Sequence, residues 1–91
     1  MPAKFALGRI VATPASLEML AALGRNPSEF LARHASGDWG DVCAEDKQLN
    51  DQALVEGGRL VSAYDLGNGE RLWIISEADR SSSCLLRPNE Y

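Results

Sequence analysis

The sequence Gly67-Asn68-Gly69 lies between two segments of alternating apolar residues, and it constrains the fold more than any other feature. An Asn-Gly pair favours the type I′ turn of a two-residue β-hairpin, because both central residues of that turn need a positive φ. The flanking segments Arg59–Asp65 and Glu70–Ser76 therefore predict two antiparallel strands.

The predicted register gives both faces of this hairpin an apolar character. With the Asn-Gly pair at the centre of the turn, Tyr64 falls opposite Trp73. The faces then carry Leu60, Tyr64, Trp73 and Ile75 on one side, and Val61, Ala63, Leu72 and Ile74 on the other. Because short helices can cover only one face well, the face with Tyr64 and Trp73 is predicted to bind a partner.

Three helices are predicted before the hairpin. The first two begin where an N-cap residue precedes a proline, a combination that favours helix initiation. These starts are Thr13-Pro14 and Asn26-Pro27, with Gly24 and Gly37 as the respective ends. A third helix is predicted from about Val42 or Glu45 to Glu56, capped by Asp41 and stopped by two glycines.

The two ends of the chain predict further extended structure. Lys4–Thr13 is typical of a short strand or extended arm, and Ser83–Leu86 of a strand that returns antiparallel to the hairpin. We therefore expect a single α+β domain over residues 1–91. It has a short N-terminal extended segment, three helices, and then a three-stranded antiparallel β-meander with the helices on one face.

Charge and cysteine content narrow the function classes. Thirteen acidic residues against nine basic ones give a net charge of −4, so the electrostatic field repels nucleic acid and anionic membranes. Cys43 and Cys84 lie far apart and form no CxxC pair, so no tetrahedral zinc site is expected. The sequence has no Gly-rich phosphate-binding loop, so no nucleotide cofactor is expected either. No apolar run has the length of a signal peptide or a membrane span, which makes the cytoplasm the expected location.

A polar loop after the second helix is the first candidate for catalysis. His34 could act as a general base that Asp38 or Asp41 orients, with Ser36 as the nucleophile. Helix caps and turns use the same residue types, and Trp39 would anchor the loop to the core. We favour this structural interpretation, because one histidine without a metal-ligand pattern leaves little chemistry to assemble.

A second polar loop links the last two predicted strands. Glu77 and Asp79 could bind a divalent cation there, or could hold a phosphate-bearing ligand together with Arg80. Carboxylates two residues apart need further oxygen ligands, which the first loop supplies only if the fold brings the two loops together. The enzyme hypothesis is a small metal-assisted hydrolase or nuclease. It requires that the two polar loops lie close together in the fold.

Several sequence blocks resemble a family of small proteins carried on plasmids and integrative conjugative elements, often labelled plasmid-related or restriction-associated. The matching blocks are Gly8–Pro14, Phe30–Asp41, Ser62–Tyr64, Trp73–Ser81 and Pro88–Tyr91. That family has no settled activity, so the resemblance implies a setting on mobile genetic elements and transfers no catalytic residue. By analogy, it implies binding to host defence or regulatory proteins.

The favoured function is a non-enzymatic protein-interaction module. Its expected surface consists of Trp39, Tyr64, Trp73 and Ile75, and its partner is either another protein or a second copy of the chain, giving a homodimer. The alternative is the hydrolase or nuclease that uses the two polar loops. The two hypotheses differ in whether the aromatic surface is exposed and whether the polar residues converge.

Overall fold

The computed structural model describes residues 3–91, which form an α+β fold with three α-helices and a four-stranded mixed sheet. In chain order the elements are β1 (Arg9–Ala12), α1 (Pro14–Ala22), α2 (Pro27–Ala35), α3 (Ala44–Glu56), β2 (Leu60–Gly67), β3 (Glu70–Ser76) and β4 (Ser82–Leu86), followed by a 3-10 turn over Pro88–Glu90. The fold class and the three helices therefore agree with the prediction.

The sheet differs from the predicted three-stranded meander. Its strand order is β1-β4-β3-β2, with β2, β3 and β4 antiparallel as predicted and β1 added in parallel to β4. Arg9 pairs with Ser82 and Ala12 pairs with Leu85. A parallel pairing between the first and last strands leaves no turn signal in the sequence, so the sequence predicts a short strand or extended arm there without identifying its partner.

The hairpin turn lies at the predicted place, but the predicted strand register is wrong by one residue. Asn68 and Gly69 have positive φ values of 53° and 76°. A bulge between Asp65 and Gly67 then shifts the pairing, so that Tyr64 faces Leu72 and Ala63 faces Trp73. Because one step of register reverses a side chain's direction, Tyr64 and Trp73 lie on opposite faces of the sheet.

Helices α1 and α2 cover the face that carries Tyr64. Both begin as predicted: the side chains of Thr13 and Asn26 accept hydrogen bonds from the backbone N–H groups of Ser16 and Ser28. The core cluster consists of Met19, Leu20, Phe30, Tyr64, Leu72, Ile74 and Leu85. The opposite face, which we call the outer face, carries Trp73, Ile75 and Cys84 among others.

Helix α3 lies at the β2 edge and contributes no side chain to this core cluster. Cys43, and not the predicted Asp41, occupies its N-cap position. Its buried side chain is Asn50, whose amide donates to the carbonyl of Val61 at 2.8 Å and accepts from the Val61 N–H at 3.1 Å. Polar bonds to the edge strand, rather than an apolar stripe, therefore position α3.

Candidate functional site

His34 is buried in a chain of hydrogen bonds that crosses three strands. Ser83 donates its hydroxyl proton to the Leu7 carbonyl at 2.8 Å, so it must accept from Ser76, 2.6 Å away. Ser76 then has no proton left for His34, and Nε2–H of the imidazole donates to it at 2.9 Å. Nδ1 accepts from Ser62. These bonds fix one neutral tautomer of the ring.

The ring of His34 is fully buried and enclosed by aromatic side chains. Phe5 and Trp39 contact it edge-on, with ring centroids 5.3 and 5.6 Å away. Burial, with a smaller contribution from the Arg80 charge, lowers the pKa of His34 from 6.5 to about 4. A general base must reach a proton of its substrate. A buried imidazole with both nitrogens engaged is instead a structural part of the core.

The two aspartates of the first loop bind other groups than His34. Asp38 pairs with Arg33 at 2.7 Å, and this pairing lowers the pKa of the Asp38 carboxyl. The Asp41 carboxylate accepts from the N–H of Asp65 at 2.8 Å. The Asp41 N–H also donates to the Ala63 carbonyl at 2.6 Å. The loop therefore closes the edge of β2, and the predicted His34–Asp38 or His34–Asp41 arrangement does not form.

The second loop is held together by Arg80. Its guanidinium donates to the carbonyls of Gly58 at 2.6 Å, Glu77 at 3.0 Å and Ala53 at 3.1 Å. Asp79 accepts from the backbone N–H of Ser81, and Glu77 lies 3.6 Å from Arg59. Arg80 thus joins the β3–β4 turn to the end of α3, with its donors on main-chain oxygens.

The six polar candidates do not form one pocket. His34 lies in the core, Asp38 and Asp41 serve the loop beside β2, and Glu77, Asp79 and Arg80 organise a turn. Within residues 3–91, no three histidine, cysteine or acidic side chains are grouped so that they could hold a metal ion. Each of these side chains has a structural partner that accounts for its position.

The four residues of the predicted interaction surface are also separated. Trp39 and Tyr64 are buried, with the Trp39 indole N–H on Asp51 at 2.9 Å and the Tyr64 hydroxyl on the Asp38 carbonyl at 2.7 Å. Ile75 is buried on the outer face. Trp73 is half-buried, so it alone of the four presents part of its side chain to solvent.

Trp73 lines a groove of about 460 Å³ between α3 and the outer face. Tyr91 stands edge-on to Trp73 with ring centroids 5.6 Å apart, and Arg59 donates to the Tyr91 hydroxyl at 3.1 Å. Leu49 on α3 borders the groove with 57% of its surface exposed. The full lining is Val42, Asp46, Leu49, Asn50, Arg59, Val61, Trp73 and Tyr91. We call this the Trp73 groove.

Sequence reasoning missed most of this groove. The alternation in β3 indicated Trp73, but the hairpin register assigned it to the face of Tyr64. One available signal was the composition of α3, whose sequence AEDKQLNDQALVE has too few apolar residues to form a continuous buried face.

No helix in the described part of the chain has both the length and the apolar character to cross a membrane. Comparison of the chain with protein-family models, with curated proteins and with solved structures gives no match.

Proposed function

We propose that this protein is a non-enzymatic protein-interaction module that binds its partner through the Trp73 groove. One observation carries the proposal: exposed Leu49 and half-buried Trp73 border the same concave site, on the sheet face opposite the core cluster. Apolar side chains around a concavity are typical of surfaces that anchor a partner's side chain.

The chemistry of the groove suggests the kind of contact it makes. Trp73, Tyr91 and Leu49 provide an apolar wall, while Asp46 and Arg59 place opposite charges on the lining. Arg59 is partly engaged, since it lies 3.6 Å from Glu77 and bonds to Tyr91. A partner segment with an apolar or aromatic anchor, flanked by polar groups, fits this arrangement.

The resemblance to proteins of plasmids and integrative conjugative elements supports a setting for this activity. In that setting the protein acts in the cytoplasm, and its partner is a host defence or regulatory protein. The negative net charge favours a protein partner over nucleic acid. The hydrolase alternative lacks comparable support, because the polar residues it needs are separated and bonded elsewhere.

The proposal is tested by capturing a partner on immobilised protein from host-cell extract, then measuring its affinity in purified form by calorimetry. Leu49→Glu places a charge at the groove, and Trp73→Ala removes its aromatic wall. Each is expected to weaken binding at least about tenfold, as is typical for a buried interface anchor.

The matched control is Val55→Glu. Val55 lies on the same helix, is 87% exposed and does not line the groove, so binding should be unchanged. Circular dichroism checks that each variant is folded. A partner that binds Leu49→Glu and Trp73→Ala as tightly as the wild type would contradict the proposal, as would failure of the wild type to capture any protein.

A further inference from the structure

Strand β1 leaves one edge of the sheet open. It is an edge strand in the order β1-β4-β3-β2, and no strand among residues 3–91 pairs with its other side. Its side chains Ile10 and Val11 are 45% and 38% exposed. An exposed edge with apolar side chains is a template for another strand.

The direction of the β1 hydrogen bonds identifies the free main-chain groups. The N–H groups of Arg9 and Thr13 donate to carbonyls of Ser81 and Leu85, both at 2.9 Å, on the β4 side. Because these directions alternate along a strand, the N–H and C=O groups of Ile10 and Ala12 point away from the sheet. An antiparallel strand added at this edge would hydrogen-bond to alternate residues, and Ile10 and Ala12 have that spacing.

We propose that the open edge of β1 binds the same edge of a second copy of this chain, antiparallel and with a two-fold axis at Val11. Ile10 of each copy then pairs with Ala12 of the other, which satisfies all the outward N–H and C=O groups of both residues. Val11 faces its own symmetry mate on the outer face. The two sheets join into one continuous eight-stranded sheet, a closed and self-complementary assembly.

Charge distribution at the two ends of β1 favours this occupant over a foreign strand. In the antiparallel register, Arg9 of one copy lies opposite Thr13 of the other. The Thr13 hydroxyl donates to the Glu90 carboxylate at 2.8 Å, so a negative charge lies at that position. Within residues 3–91 Arg9 has no ion-pair partner. Two Arg9–Glu90 pairs therefore form across the axis of a dimer.

The dimer is independent of the Trp73 groove, because neither Val11 nor Ile10 lines that groove. Its first test is sedimentation equilibrium over a wide range of protein concentration. We expect a monomer–dimer equilibrium for the wild type and at least about a tenfold weaker association for Val11→Lys, which opposes two like charges at the axis. Val55→Lys, the same change at an exposed helix position, should leave the dimer unchanged.

The second test exchanges the charges. Arg9→Glu alone and Glu90→Arg alone each create two like-charged contacts, so both variants should be largely monomeric. An equimolar mixture restores two opposite-charge contacts and should yield a heterodimer. Circular dichroism verifies that both variants are folded. In parallel, hydrogen exchange at the Ile10 and Ala12 amides should slow as the wild-type concentration rises.

Three results would overturn this inference. These are a wild-type monomer at every concentration, a dimer that Val11→Lys leaves intact, and a charge-exchanged mixture that stays monomeric. Loss of partner capture in the Trp73 groove variants, with the dimer intact, would support the proposed function and would leave the dimer proposal unaffected.

Discussion

The two edges of the sheet are treated in opposite ways. At the β2 edge, Asn50 bonds to both main-chain groups of Val61, the loop after α2 bonds to Ala63, and Asp41 bonds to the N–H of Asp65. At the β1 edge, the corresponding groups of Ile10 and Ala12 point outward. One edge is closed by the chain's own residues, and the other is left accessible.

This contrast gives the polar loop a function that its composition did not suggest. A long edge strand such as β2 is an aggregation hazard unless its free groups are bonded. The Asp and Asn side chains beside it remove that hazard. Asp41 of this loop therefore serves as a strand-edge cap, which is a structural use of a residue type that also occurs in catalytic sites.

The largest effect is expected from Gly40→Ala, which would break the closed edge. Gly40 has a φ of +75°, and a Cβ there would overlap the carbonyl oxygen of Ala63. Overpacking together with the left-handed backbone should cost about 3–5 kcal/mol of unfolding free energy, measured by urea denaturation. Gly24→Ala is the control, since its φ is +66° but its Cβ meets open space. Equal losses in both variants would show that the close approach to β2 is unimportant.

Acidification should lower the free energy of unfolding, because His34 is buried against the sheet between its two edges. The folded-state pKa of His34 is about 4, below its usual 6.5, so an unfolded chain takes up the proton first. Stability from the neutral ring is complete above pH 6.5 and is lost as the pH falls toward 4, by up to about 3 kcal/mol.

The measurement is urea unfolding at several pH values, with His34→Gln as the comparison. The variant should be less stable near neutral pH, and its stability should fall less between pH 6.5 and 4. The Asp38 carboxyl, whose pKa is lowered from 3.8 by its bond to Arg33, loses its stabilising contribution mainly below pH 3.8 and so adds little in this range. Identical pH profiles for the two proteins would contradict the neutral, buried imidazole.

Asn50→Leu should open the closed edge at Val61, while the bonds to Ala63 and Asp65 remain. Loss of the paired amide leaves the N–H and C=O of Val61 without their partner, which should cost about 2 kcal/mol of unfolding free energy. Association should also increase with concentration, as light scattering would detect. Gln52→Leu, at an exposed position whose amide bonds only to Glu56, serves as the control. Unchanged stability in Asn50→Leu would show that water caps this edge equally well.

The smallest effect is expected at the open edge. Val11→Thr keeps a β-branched side chain at an exposed position, so the stability of the dilute monomer should change by less than about 0.5 kcal/mol. Thermal unfolding at low protein concentration measures it. A loss comparable to that of Asn50→Leu would indicate that β1 is more deeply integrated than its exposure suggests.

Local signals in the sequence predicted local structure well. The Thr13-Pro14 and Asn26-Pro27 pairs marked helix starts, and the Asn-Gly pair marked the hairpin turn, because each acts through its own backbone conformation. The bulge before Gly67 and the parallel β1–β4 pairing depend on tertiary contacts. Neither has a comparable local signature, and both altered the predicted sheet.

The candidate site was less accessible to sequence reasoning. His34 and Asp38 are close in sequence, yet the imidazole binds serines on β2 and β3 while the carboxylate binds Arg33. A one-residue register error also moved Tyr64 onto the face of Trp73. Which side chains meet depends on register and topology, and composition does not determine either.

The parallel pairing of β1 with β4 also affects how the chain is synthesised. Residues 9–12 leave the ribosome before the strand that completes their hydrogen bonds, which begins only at Ser82. Until that point the N-terminal strand has no partner within the described fold, and the Leu7 carbonyl lacks the Ser83 hydroxyl. A nascent chain that stalls before residue 82 therefore exposes an apolar segment to chaperones and to neighbouring nascent chains.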